Sequence, residues 1–154
     1  MRRPSWFPWV LVGIAPLCGC RNAFGPEPLP TTTVSGRVHL GDASVTHGWV
    51  EMMPGEGTLG RLRSAAIRSD GTFSAEKVPI GQIGIRISGA DIPKTSESIV
   101  ANNLPLLMRG HFIRRTVEAG GKTVLDLDLR KEAYEVERIR QERRLAAQPE
   151  SVQP

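Results

Sequence analysis

Short stretches of alternating apolar and polar residues run through the chain and indicate its fold. Residues 34–40 alternate in this way, and so do residues 83–87 and 125–129. A period of two buries one face of a strand and leaves the other face in water. The strand candidates are residues 34–40, 49–52, 64–68, 72–75, 83–87 and 125–129.

Turn signals separate these candidates. Gly41 and Asp42 follow the first one, and Asp70-Gly71 lies between two others. Asp-Gly between apolar runs is a strong hairpin signal. With 16 Gly, 12 Pro and 5% aromatic residues, the composition favours many turns over a helical bundle. We therefore predict an all-β fold, an antiparallel two-sheet sandwich of about seven short strands.

Several runs within residues 33–129 carry a family resemblance. They are residues 34–38, 69–73, 78–81, 83–87, 117–122 and 124–129. In order and spacing they resemble the carboxypeptidase regulatory-like domain, a transthyretin-like, prealbumin-type β-sandwich. The resemblance implies a non-catalytic binding or structural module, and it transfers no functional residue to this chain.

The N-terminus has the pattern of a secretory signal. Arg2 and Arg3 precede an uncharged stretch, residues 6–17, which is shorter than the about 20 residues that span a bilayer. Leu17-Cys18-Gly19-Cys20 then resembles the bacterial lipobox. That resemblance implies cleavage between Gly19 and Cys20 and acylation of Cys20, because stable anchoring needs more than one chain. A plain secretory signal and an uncleaved anchor are the alternatives.

Lipidation at Cys20 has further consequences. Cys18 and Cys20 are the 2 cysteines of the chain, so the mature domain would have no free thiol, disulfide or cysteine-bound zinc. Residues 20–32, rich in proline, read as a spacer. Arg21 stands where an aspartate would signal inner-membrane retention. We therefore expect a protein of the cell envelope, lipid-anchored to the outer membrane and facing the periplasm.

The charge pattern bears on possible partners. The formal net charge is +4, but Arg2 and Arg3 would leave with the signal, and the remaining charges are interspersed. No basic stripe with interleaved aromatic residues is present, which argues against nucleic-acid binding. The expected partners are the membrane, through the lipid, and an envelope protein or glycan.

No catalytic or metal site emerges from the sequence. His39, His47 and His111 are the 3 histidines, and their spacing matches no compact ligand motif. We expect solvated surface histidines, and a solvated strand face for Asp126 and Asp128. We predict no enzyme, no catalytic residue, no metal and no cofactor. A small hydrolase, the least favoured alternative, would require histidines that converge with a carboxylate in one pocket.

Two features are candidates for ligand or partner contact. Trp49 is the one tryptophan outside the signal segment and offers a surface on which a sugar could stack. Burial of Trp49 would argue against that function. Residues 90–111 form a long connection containing Leu106, Leu107 and Met108. Connections of this length are often functional. This one is either a partner-binding edge or an insertion folded over the core.

The C-terminal residues 130–147 are rich in Glu, Arg and Ala and predict a charged helix. Pairs at i,i+4 spacing, Lys131–Glu135 and Arg138–Glu142, would support it. The apolar stripe is thin, so we favour a solvated helix over a docking helix, with residues 148–154 disordered. The predicted segments are 1–19 (signal), 20–32 (spacer), 33–129 (sandwich) and 130–154 (tail).

These patterns together predict a lipid-anchored, non-catalytic binding or scaffolding module of the envelope. A module that binds a glycan or another small ligand is the alternative.

Overall fold

The computed structural model describes residues 29–110 and 113–147, which form eight strands and two helices. Gly19, Cys20, His111 and residues 148–154 lie outside the described residues, and the predictions made for them stay predictions. The strands are β1 (Thr31–Leu40), β2 (Ala43–Ser44), β3 (Trp49–Pro54), β4 (Arg63–Ala66), β5 (Thr72–Pro79), β6 (Gly81–Ser88), β7 (Ile113–Val117) and β8 (Lys122–Asp128). The helices are α1 (Ser98–Arg109) and α2 (Leu129–Ala146).

Two four-stranded sheets confirm the predicted sandwich. In the first sheet, β2 and β5 run antiparallel to the central strand β1, and β8 runs parallel to it. The second sheet has the order β4-β3-β6-β7 and is antiparallel throughout. The β1–β8 pair departs from the expected antiparallel pairing. Alternation of buried residues does not encode strand direction, because either direction buries the same side chains.

The core lies between the two sheets. Val34 and Val38 of the first sheet and Met52 and Ile85 of the second are completely buried, and Phe73 is the largest buried side chain. Each fully buried side chain of this kind stabilises the fold by about 1.5–3 kcal/mol. The sandwich is therefore held by apolar burial from the alternating positions that the sequence displays.

Gly36 permits close packing in the centre of the first sheet. A Cβ atom at this position would lie 2.1 Å from the Leu125 carbonyl oxygen and 2.9 Å from the Phe73 ring. Gly36 is paired with Phe73 on one side and with Leu125 on the other. Only a residue without a side chain fits between these neighbours.

The Asp70-Gly71 turn forms, but the hairpin predicted from it does not. The turn closes through a Gly71 N–H donated to the Arg68 carbonyl oxygen at 2.9 Å. The flanking strands β4 and β5 belong to different sheets, so the turn joins the two layers of the sandwich. The Val38 N–H donates to the Gly71 carbonyl oxygen at 2.9 Å, which holds the turn against β1.

The long connection at residues 90–111 contains helix α1, which packs on the core through Val100 and Leu107. Of the two alternatives, a partner-binding edge and an insertion folded over the core, the packing of α1 agrees with the insertion. Pro105 lies inside it, where it removes one backbone N–H donor.

Helix α2 confirms the predicted charged tail, but its first half is docked rather than solvated. Leu129, Ala133 and Val136 are buried, and α2 packs against α1. The expected Arg138–Glu142 pair is present. Lys131, by contrast, lies with its Nζ 3.9 Å from Asp128 Oδ2 and does not pair with Glu135.

Candidate functional site

The exposed face of the second sheet carries an exposed tryptophan beside hydrogen-bonded polar side chains. Along β3, Val50 and Met52 are buried, which turns Trp49, Glu51 and Met53 to the opposite face. Trp49 is 51% exposed. A buried ring would have argued against ligand stacking on Trp49, and the ring is not buried. We call this surface, formed by Trp49, Glu51, Met53, Arg86 and Arg114, the Trp49 face.

Strand register fixes the neighbours of each side chain on the Trp49 face. Trp49 pairs with Ala66 on β4 and Ser88 on β6, and Glu51 pairs with Arg86. Because β-strands hold their side chains in fixed positions, a ligand on this face would meet a surface organised in advance.

Glu51 is held by two neighbours on β6. Arg86 donates from Nε to Glu51 Oε2 at 3.1 Å and from its Nη2 to the same oxygen, and Ser88 Oγ donates to Glu51 Oε1 at 2.6 Å. The Glu51 side chain is 16% exposed and the Arg86 side chain 33%. Both carboxylate oxygens of Glu51 thus accept hydrogen bonds from the sheet.

A shallow cavity of about 210 Å³ lies at the other end of the Trp49 face. Gly84 stands between Met53 and Arg114 in the strand register, and its missing side chain opens the floor of the cavity. Gln82 lines the rim and brings an amide to it. Trp49 and Met53 are four residues apart on β3, so the cavity lies about 13 Å from Trp49. The face therefore combines an aromatic ring with polar groups and a cation.

Leu106, Leu107 and Met108, the other predicted contact residues, lie near the end of α1. Leu107 is buried, and Leu106 is half-buried against the core. Met108 is half-buried and lines an open groove of about 380 Å³ between α1 and residues 92–95. The structure does not bring these three residues together with Trp49 in one cavity. Leu106 and Leu107 pack the helix on the sandwich, which leaves Met108 to face the groove.

His39 is not the solvated surface histidine that we expected. Its side chain is 16% exposed, its Nε2 lies 2.8 Å from Asp126 Oδ1, and its Nδ1 lies 2.6 Å from the Gly41 carbonyl oxygen. Both ring nitrogens therefore face acceptors, and both contacts are hydrogen bonds only when the ring carries two protons.

His47 lies in a separate environment. Its Nδ1 is 3.6 Å from Asp91 Oδ2, and both side chains are largely exposed. The two described histidines thus contact different carboxylates. No group of three or more His, Cys, Asp or Glu side chains in residues 29–110 and 113–147 is arranged to hold a metal ion.

Asp126 and Asp128 have different roles despite their spacing. The Asp126 side chain is 73% exposed, which agrees with a solvated strand face. Asp128 is buried, which corrects that expectation for the second carboxylate. Its Oδ1 accepts from the Arg130 N–H at 3.1 Å and from the Gly41 N–H at 3.2 Å. Asp128 is thus the N-cap of α2, and its carboxylate satisfies backbone donors.

The Glu51–Arg86–Ser88 contacts and the cavity at Arg114 were not predicted from the sequence. Alternation places these residues on the polar face of their strands, but the register that makes them neighbours comes from strand pairing. A signal was available in residues 49–54 and 83–88, two segments of equal length that would have suggested an antiparallel pair.

Comparisons with known proteins add no relative. No family model, no curated protein and no solved structure matches the chain. The resemblance to carboxypeptidase regulatory-like domains remains a prediction. Neither of the two described helices, α1 and α2, combines the length and the hydropathy of a membrane-spanning helix.

Proposed function

We propose that this chain is a non-catalytic binding or scaffolding module of the cell envelope, anchored by lipid at Cys20. The observation that supports binding is the Trp49 face, where a tryptophan that is 51% exposed lies beside hydrogen-bonded polar groups. The Trp49 ring and the Met53 side chain, 51% and 42% exposed on the same face of a rigid strand, are available to contact another molecule.

The anchor and its membrane follow from the sequence. The lipobox resemblance ends at Cys20, and the spacer would hold the sandwich away from the bilayer surface. Arg21 favours the outer membrane, with the domain in the periplasm. Fractionation of the wild-type chain and of Cys20→Ser tests this part. Loss of membrane association in Cys20→Ser is expected, and retention of the variant would contradict lipidation.

The non-catalytic role is supported by the bonding of the acid–base residues. Glu51 accepts from Arg86 and Ser88, Asp128 caps α2, and both ring nitrogens of His39 face acceptors. Proton transfer requires a group with a free donor or acceptor within reach of the substrate. The polar atoms of these side chains instead contact donors and acceptors within the protein.

Site-specific photo-crosslinking in cells tests binding through the Trp49 face. Ser64 is exposed on β4 beside Glu51, and Ser74 is an exposed serine on β5 of the other sheet. A photoreactive residue at position 64 should capture an envelope component that position 74 does not capture. Equal products from both positions, or products from neither, would contradict a binding role for this face.

Glycan binding is the second candidate, and the exposure of Trp49 favours it specifically. Sugar rings stack on exposed tryptophan, and Arg114 and Gln82 supply hydrogen-bond donors at the cavity. With the signal removed, Trp49 is the single tryptophan, so its fluorescence reports directly on the face. Titration with envelope polysaccharide should change that emission and give saturable binding. Trp49→Phe should bind more weakly and Trp49→Ala not at all, whereas wild-type emission without change would reject this candidate.

A further inference from the structure

Strand β8 is an edge of the first sheet. It pairs in parallel with β1 from Thr33↔Lys122 to His39↔Asp128, and no strand of the described residues pairs with its other edge. At such an edge, alternate backbone N–H and C=O groups point away from the sheet and can pair with another strand. At the end of β8, Asp128 caps helix α2 and also accepts from the Gly41 N–H in the β1–β2 turn.

The solvent-facing side chains of β8 alternate between charged and apolar residues. Leu125 and Leu127 are buried in the core, which turns Lys122, Val124 and Asp126 outward. Val124 is 75% exposed. Lys122 and Asp126 are charges of the kind that discourage pairing at an edge, whereas the apolar, β-branched Val124 between them favours pairing with another strand.

The order of these three residues is self-complementary. If two copies of β8 run antiparallel with Val124 opposite Val124, then Lys122 of each copy lies opposite Asp126 of the other. Opposite charges at directly facing positions stabilise an antiparallel pair, and like charges destabilise it. A register shifted by two residues would place Val124 opposite a charged residue, so one register is preferred.

We propose that β8 pairs antiparallel with β8 of a second copy of this chain, which joins two four-stranded sheets across a two-fold axis. The interface is isologous, since the same residues contribute from both sides. One edge strand buries less than the about 1,200 Å² of a standard stable interface, so the dimer is weak in dilute solution. Confinement to a membrane surface would raise the effective concentration and favour it.

Cysteine crosslinking of the full chain in cells tests this pairing. The register places the two Val124 Cβ atoms within about 5.5 Å, close to disulfide reach. Val124→Cys should give a disulfide-linked dimer under mild oxidation. Ser74→Cys, an exposed position on β5 of the same sheet, is the matched control and should not. The wild-type chain sets the background from the native cysteines. Equal yields from positions 124 and 74, or no dimer from position 124, would overturn the proposal.

Charge reversal in the Val124→Cys chain tests the register. Lys122→Asp alone places acid opposite acid, and Asp126→Lys alone places base opposite base, so each variant should lower the dimer yield several-fold. Co-expression of the two variants restores both opposite-charge contacts in the mixed dimer, which should recover the yield. Asp126→Lys also removes the contact of Asp126 with His39 in its own chain, and co-expression cannot restore that contact. A recovered yield would therefore come from the charges between the two copies. Failure of the mixture to recover the yield would reject this register.

Discussion

Asn103 on α1 and Glu137 on α2 join the two helices, with Asn103 Nδ2 3.2 Å from Glu137 Oε2. Asn103 is 1% exposed, and the same amide nitrogen donates to the Ile99 carbonyl oxygen at 2.9 Å. Arg140 donates to Asn103 Oδ1 at 3.2 Å, so donor and acceptor are both satisfied. This buried amide thus adds hydrogen bonds between α1 and α2 to the apolar contacts that dock the first half of α2.

Asn103→Ala should destabilise the protein by about 1–3 kcal/mol, because it leaves buried polar partners without their hydrogen bonds. Urea denaturation measures the difference. Asn102→Ala is the matched control, since Asn102 is exposed on the same helix and its truncation should change the stability little. Because alanine has a higher helix propensity than asparagine, propensity cannot cause a loss, and similar losses in both variants would contradict a specific role for the contact with α2.

The same residue explains why α1 could not be predicted from the sequence. A helix that packs on a core normally repeats apolar residues at i, i+3 and i+7. Here Val100 and Leu107 occupy two of these positions, and Asn103 occupies the third. With Asn102 beside it and Pro105 following, the segment has the composition of a turn. The hydrogen bonds that make a buried asparagine acceptable come from α2, far away in the sequence.

Strand β7 was missed for a similar reason. Ile113 and Val117 are buried, and the alternation between them is broken by Arg115. Arg115 pairs with Glu132 of α2, whose side chain is only 12% exposed. The Glu132 carboxylate thus compensates the charge of Arg115, which lies on the same face of β7 as the buried Ile113 and Val117. By contrast, β1, β3, β6 and α2 were predictable, because their patterns depend on local periodicity alone.

Gly36→Ala should destabilise the sandwich by about 1–3 kcal/mol or more, the cost of overpacking a core. The added Cβ would meet the Leu125 carbonyl oxygen at 2.1 Å, and a neighbouring strand cannot yield as a flexible side chain can. Gly121→Ala is the control, because a Cβ there would meet nothing within 4 Å. Thermal unfolding of the two variants makes the comparison. A Gly36→Ala chain as stable as Gly121→Ala would show that β1 and β8 are less closely packed than described.

Asp70 should contribute to acid sensitivity. The Thr72 N–H donates to Asp70 Oδ1 at 3.0 Å, the Thr72 hydroxyl donates at 2.7 Å, and these bonds lower the pKa of the carboxyl. Because the pKa is lower in the folded state, the stabilisation is present above the unfolded pKa and is lost as the pH falls through the folded value. Asp70→Asn should therefore flatten the acid limb of the stability curve in urea unfolding from about pH 7 to about pH 3. Glu56→Gln, which also removes one exposed carboxylate, controls for net charge. An acid limb as steep as wild type in Asp70→Asn would contradict the assignment.

Tyr134 gives a direct spectroscopic test of how α2 meets the segment before α1. Its hydroxyl donates to Glu97 Oε2 at 3.2 Å, and this hydrogen bond together with the negative charge of Glu97 raises the pKa of the phenol. The hydrogen bond stabilises the folded state below the unfolded pKa, and its contribution is lost as the pH rises through the folded value. The chain has a single tyrosine, Tyr134, so the absorbance change of phenolate formation reports this group alone.

Glu97→Gln should lower the titration midpoint of Tyr134 toward that of free tyrosine. Glu142→Gln, which removes a carboxylate further along α2, should leave the midpoint unchanged. If both variants shift the midpoint equally, general charge rather than the contact between Tyr134 and Glu97 sets it, and α2 is not held in this position.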